Sequence, residues 1–219
     1  MAMAMAMANT SSFSVPLLMR MRPSFLPSTR RRPPPLPCVF GGAELGSSSS
    51  SSPVPVSVSL HVTAITSKSE AAAFQPFGQV VWPEEDGTPY EVPLYDASLD
   101  LSAGQPRFYM MRIPPRGLEM DRITYHADVT QCLASMQDST WHLVVAEPSD
   151  LSKPPTAEQL HAFAFKGGCI VKLNKGTWHA GPLFDGEDEI AFYNLELADT
   201  NTVDHNTHIY EDEVYTLHT

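Results

Sequence analysis

The chain is 219 residues long, with 42% hydrophobic and 18% charged residues, which is room for one globular domain plus an appendage. Its formal net charge is −11, and five of its arginines (Arg20, Arg22, Arg30, Arg31 and Arg32) lie in an acid-free leader, so the remainder sets nine basic residues against 25 acidic ones. A surface that acidic excludes nucleic acid, whose phosphates need clustered Lys and Arg, and no apolar run reaches the ~20 residues that span a bilayer.

Residues 1–46 are rich in Ser, Arg, Ala and Pro, the composition of an organelle transit peptide. The Met-Ala start followed by Ser and Thr favours a plastid over a mitochondrion; the other reading is a disordered tail that is kept. Residues 47–55 are a serine run ending in prolines, a flexible linker. A folded domain is expected over 56–219.

Val56, Val58 and Leu60 alternate with polar residues, which predicts a strand. Ser69 is placed as the N-cap of a short helix through Phe74, which Pro76 ends. A strand follows over Gln79–Trp82. Residues 83–105 are polar and turn-rich and form a long irregular connection, with Asp86-Gly87 as a turn. Phe108–Ile113 is a strand carrying Arg112, broken by Pro114-Pro115. Further strands are expected over Ile123–His126, Thr140–Ala146, Phe163–Phe165 and Ala191–Leu197, with Thr156 capping a short helix between the second and third. The acidic segment after Leu197 carries His205 and His208, which read as a solvent-exposed loop. Many short strands and few helices predict an all-β sandwich or barrel. The mouth of a jelly roll is a natural small-ligand site.

Gly167–Phe184 is the most informative stretch. Cys169, Val171 and Leu173 alternate with Ile170 and Lys172, a strand period. Asn174-Lys175-Gly176 is a tight turn in which Gly176 takes φ > 0 freely. A second strand opens with Trp178 and His179. Cys38, Cys132 and Cys169 form no CxxC pair. Cys132 and Cys169 read as small buried thiols.

The spacing Gly168-x5-Asn174-x-Gly176-x2-His179 resembles the second motif of the cupin superfamily. In the first motif His126 falls at the second His, Gln131 at the acid and Thr124 at the first His. The pieces resemble one family more closely. Phe74-Gln-Pro-Phe-Gly-Gln-Val-Val, a strand ending in Arg112, His126-x4-Gln131 and the Asn174–Leu183 stretch are similar, in the same order, to the ureidoglycolate lyase family, in a plant-type form with a transit peptide.

The resemblance implies an all-β, cupin-like double-stranded β-helix (a jelly-roll barrel) with a few short helices. It implies a homodimer that cleaves ureidoglycolate, or a related small hydroxy acid, to glyoxylate and urea in allantoin degradation, within purine catabolism. The substrate is a small anion. His126 and His179 are the acid–base candidates, since a group with a pKa near neutrality suits both proton transfers, and Gln131, the third catalytic candidate, orients a substrate oxygen or ligates the metal. Arg112 is the candidate clamp for the substrate carboxylate. Lys175 either assists it or faces solvent, and Trp178 is pocket wall or core. His126, Gln131 and His179 also stand at metal-ligand positions for manganese or zinc. Without metal, the two His hydrogen-bond within a polar pocket. Bacterial members carry an acid at the position of Thr124 and a second His at that of Ala180. The other reading is therefore a non-catalytic small-carboxylate-binding cupin of the same fold. A third is a metal-dependent cupin oxygenase or isomerase.

Overall fold

A computed structural model describes residues 54–148 and 150–219. The expectations that fall on residues 1–53 (the targeting segment, most of the linker and Cys38) lie outside the described residues. Among the described residues thirteen strands run in chain order: β1 (Val56–Ile65), β2 (Gly78–Val81), β3 (Pro106–Ile113), β4 (Glu119–Met120), β5 (Arg122–Tyr125), β6 (Gln131–Ser135), β7 (Trp141–Ala146), β8 (His161–Phe165), β9 (Ile170–Leu173), β10 (Trp178–Leu183), β11 (Ile190–Leu197), β12 (Asn206–Ile209) and β13 (Glu213–His218).

They form two sheets, ordered β12-β5-β10-β7-β8-β1-β13-β4 and β2-β9-β6-β11-β3. The central eight strands are nested antiparallel pairs: β7 with β8, β6 with β9, β5 with β10, and β3 with β11. Successive pairs alternate between the two sheets. A long hairpin rolled up in this way is a jelly roll. The fold is therefore the all-β, cupin-like double-stranded β-helix.

The reason for the roll is legible in β7. All six of its residues are buried, so it needs cover on both faces. Alternate side chains of a strand point to opposite faces. Trp141, Leu143 and Val145 enter an inner cluster with Phe74, Phe163, Phe165, Leu133 and Phe192. Val144 and Ala146 enter an outer cluster with Ile123, Trp178, Leu183, Tyr215 and Leu217. Each large side chain buried in this way is worth about 1.5–3 kcal/mol. The outer cluster exists because β1 bridges β8 and β13 with parallel pairing on each side. The chain beyond Leu197 is thus structural, with β12 and β13 joining the larger sheet.

One local expectation changes. Ser69 makes no capping hydrogen bond; Glu70 instead accepts from the Thr66 amide at 2.7 Å and closes the short helical turn over Glu70–Phe74. Thr156 does begin a capping box with Gln159. The Asn174–Gly176 turn forms with Gly176 at φ +76°, and its amide donates to the His126 carbonyl at 2.7 Å. That bond ties the turn before His179 to the end of β5.

Candidate active site

Strand periodicity sorts the barrel interior into two halves. On β11, Phe192 lies in the inner cluster, so Asn194 and Glu196 point the same way. On β6, Leu133 places Gln131 inward, and on β3 Ile113 places Tyr109 inward. On β10, His179 stands opposite Val145 and Thr124. His126 follows Thr124 by two. One half of the interior is apolar and the other holds Tyr109, His126, Gln131, His179, Asn194 and Glu196.

The two imidazoles are 5.1 Å apart between ring centroids. His126 Nδ1 lies 2.6 Å from the Asp204 carbonyl oxygen and His179 Nδ1 lies 3.1 Å from that of Thr177. A carbonyl only accepts, so each Nδ1 carries the hydrogen and each Nε2 keeps its lone pair. Burial pushes the pKa of His126 below its usual value, while the Asp204 carbonyl and the charges of Asp204 and Glu196 oppose that shift. Burial pushes His179 down to about 3, and the neighbouring His126 adds to the shift.

These depressed values set an acid limit. The unfolded chain takes up protons at a His pKa near 6.5, before the folded chain does. Stability present above that pH is lost as the pH falls. At pH 5 a single His that stays neutral in the fold costs about 2 kcal/mol. His126, His142 and His179 all shift down, whereas carboxylates act only nearer pH 4. Urea unfolding of the full chain is expected to show a clearly lower midpoint at pH 5 than at pH 7. Equal midpoints would contradict neutral buried imidazoles.

Glu196 is a carboxylate 1% exposed. Tyr109 Oη and Asn201 Nδ2 donate to one oxygen at 2.9 and 3.0 Å, and Gln131 Nε2 donates to the other at 3.0 Å. Asn194 Nδ2 donates to Tyr109 Oη at 2.9 Å. Asp204 accepts from the amides of Ala127 and Asp128 at 2.7 and 2.8 Å, and so holds the turn that carries His126. His205 lies 5.7 Å from His126, ring to ring. A cavity of about 520 Å³ is lined by His179, His205, Thr124, Arg116 and Arg122 among others. The Arg122 guanidinium is occupied, with Nε and Nη2 donating to Asp121 at 2.7 and 3.0 Å.

The structure brings together His126, His179 and Gln131 but places the other candidates elsewhere. Arg112 faces outward because Met111 and Ile113 flank it on β3; it pairs with Glu189 at 3.6 Å and is largely exposed. Arg116, four residues on, lines the cavity, as does Arg122. Lys175 pairs with Asp100 at 2.7 Å. Trp178 points to the outer cluster, 4.4 Å from the Tyr125 ring, and is core. His205 is exposed but turned to the cavity, and His208 packs on Tyr210. Glu196 had a sequence signal: an acid in phase with Phe192 and Asn194 on a buried strand face. Asp204 and His205 had none, since their contacts span the chain.

Manganese or zinc favours two or three imidazoles plus a carboxylate. Among the described residues no group of three His, Cys, Asp or Glu is placed to hold a metal ion. The carboxylates of Glu196 and Asp204 are committed to the donors above. Two imidazole nitrogens and one amide oxygen do not fit such an ion, and the chemistry below uses side chains alone.

Known proteins place the chain by sequence. No curated protein matches it. A dTDP sugar isomerase from Desulfovibrio desulfuricans G20 is 13% identical over 63% of this chain and 87% of its own, at a TM-score of 0.38. An oxalate decarboxylase from Lactobacillus farciminis, in a formate complex, is 13% identical over 49% of this chain and 27% of its own, at 0.32. A further oxalate decarboxylase structure is 9% identical over 57% of this chain and 35% of its own, also at 0.32. Likenesses that loose carry no argument. The profile described as Ureidoglycolate lyase matches residues 59–216, from β1 into β13, and the chain belongs to the ureidoglycolate lyase family.

Proposed function

We propose that the barrel is a carbon–nitrogen lyase that splits ureidoglycolate, or a close hydroxy-acid analogue, into glyoxylate and urea. The observation that carries the reading is the pair of neutral imidazoles in the polar half of the barrel, each with a free Nε2 lone pair. The substrate is a hemiaminal. Its hydroxyl loses a proton, the electron pair left on oxygen forms the carbonyl, the C–N bond breaks with its electrons leaving on nitrogen, and the departing nitrogen takes up a proton. One proton therefore moves from oxygen to nitrogen, and one imidazole can carry it.

His126 suits that role better than His179. Its imidazolium is supported by the Asp204 carbonyl and by the charges of Asp204 and Glu196. His179 has the Thr177 carbonyl on its Nδ1, but the charges of His126 and His205 disfavour its charged form. A base works best with a pKa near the working pH. His126 is thus the proton carrier, and His179 orients the substrate by accepting a hydrogen bond. Arg116, at the cavity wall, takes the carboxylate in place of Arg112.

The test is glyoxylate release from ureidoglycolate by the full chain. A rate well above the uncatalysed one is expected. Release no faster than buffer, from folded protein, would leave only the small-carboxylate-binding reading.

A further inference from the structure

A ureido group has a carbonyl oxygen that needs a donor, and the cavity beside His179 supplies few. Of the side chains on its wall, His179 accepts through Nε2, its hydrogen being on Nδ1. Arg122 is held on Asp121. The Thr124 hydroxyl shares a hydrogen bond with that of Thr207 at 2.8 Å. Among the described residues that leaves two side-chain donors on the wall without such a partner, Arg116 and His205. Arg116 is the one that takes the substrate carboxylate.

His205 is aimed at this space by the strand that follows it. In β12, Thr207 stands opposite Thr124 of β5, a wall residue. Alternate positions share a face. His205 therefore comes to the side of Thr207, while His208 goes to the other side, against Tyr210 at 4.9 Å. The His205 ring is exposed, but its backbone is anchored on both sides. Asp204 accepts from the amides of Ala127 and Asp128, and Asn206 pairs with Tyr125. The ring is thus a donor on a fixed mount at the cavity wall, 5.7 Å from the His126 ring.

We propose that His205 is the hydrogen-bond donor for the ureido carbonyl oxygen, and so a catalytic residue for the departure of urea. When the C–N bond breaks, its electron pair is left on nitrogen and is shared with the adjoining carbonyl. Negative charge therefore grows on that oxygen until the nitrogen is protonated. A hydrogen bond there is stronger in the transition state than in the bound substrate, and it acts on kcat more than on KM. The catalytic role rests on the lyase reading; the contact with a ligand carbonyl does not.

Two unreactive ligands of one shape separate contact from chemistry. 4-Oxopentanoate has a carboxylate and, at the ureido position, a carbonyl; 4-methylpentanoate has a methyl group in place of that oxygen. Neither can release glyoxylate. Titration calorimetry on the full chain reads the ratio of their affinities. His205→Leu is expected to move the ratio against 4-oxopentanoate by about three- to tenfold, the worth of one neutral hydrogen bond. His205→Gln, which keeps an N–H donor, restores most of it, and His208→Leu leaves the native ratio. In the glyoxylate assay His205→Leu lowers kcat by about tenfold or more, with a smaller change in KM. The proposal is overturned if His205→Leu keeps the native ratio, if His208→Leu shifts it equally, or if the native chain binds neither ligand at millimolar concentration. A shifted ratio in a chain that releases no glyoxylate keeps the contact and removes the lyase. Release with kcat unchanged in His205→Leu keeps the lyase and removes His205 from it.

Discussion

Replacing His126 with asparagine lowers kcat for glyoxylate release by about 10²–10⁴-fold, the usual worth of a positioned acid–base group. Asparagine is chosen because its Nδ2 occupies nearly the place of the imidazole Nδ1. The donor to the Asp204 carbonyl, 2.6 Å away in the native protein, is kept. Only the Nε2 lone pair is removed. Thermal unfolding should therefore move by only a few degrees while turnover collapses. His142 supplies the control. It too is a buried histidine whose Nδ1 faces a backbone carbonyl, that of Leu183 at 3.1 Å. It follows Trp141 on β7, so it points away from the interior face that Trp141 and Leu143 line. His142→Asn should leave kcat near the native value. If the two variants lose activity equally, the effect is packing and His126 is not the proton carrier.

The carbonyl partner of His126 also shows what was legible in the sequence and what was not. β5, β7, β9 and β10 were readable because each carries a period of two or a run of apolar residues bounded by turn residues. His126 and His179 were readable because they sit at the ends of such strands. Lys172 was not. It falls between Val171 and Leu173, where alternation puts it on the opposite face, yet it is buried and donates to Asn174 Oδ1 at 2.6 Å. The strand's two faces are both covered there, and alternation alone cannot distinguish a covered polar face from a wet one. β12 and β13 were missed for a related reason. They are edge and near-edge strands made of polar residues, and only Tyr215 and Leu217 mark a buried face. Arg112 came from the resemblance, and the alternation of β3 turns it outward, since a shift of one residue along a strand exchanges one face for the other. The contact between Asp204 and His126 spans 78 positions, and nothing local announces it.

Asp204→Ala should therefore cost stability and activity together. The native carboxylate is 4% exposed and accepts three hydrogen bonds: from the amides of Ala127 and Asp128 and, at 3.1 Å, from Asn206 Nδ2. Hydrogen bonds to a charged group are worth about 1.5–3 kcal/mol each, and part of that returns as water enters the gap. A net loss of about 3–5 kcal/mol is expected, read as a lower urea midpoint with an unchanged slope. Asp204→Asn should lose less, since one oxygen remains, but its NH2 group now opposes an amide N–H. Activity should fall in the same order, and in kcat more than in KM, because the carbonyl of residue 204 still reaches His126 but from a loosened turn. Rigid support of a catalytic ring is what a single misplaced ångström removes. A stability loss under about 1 kcal/mol would mean that the turn carrying His126 holds itself, and that Asp204 matters to the ring only through its backbone carbonyl.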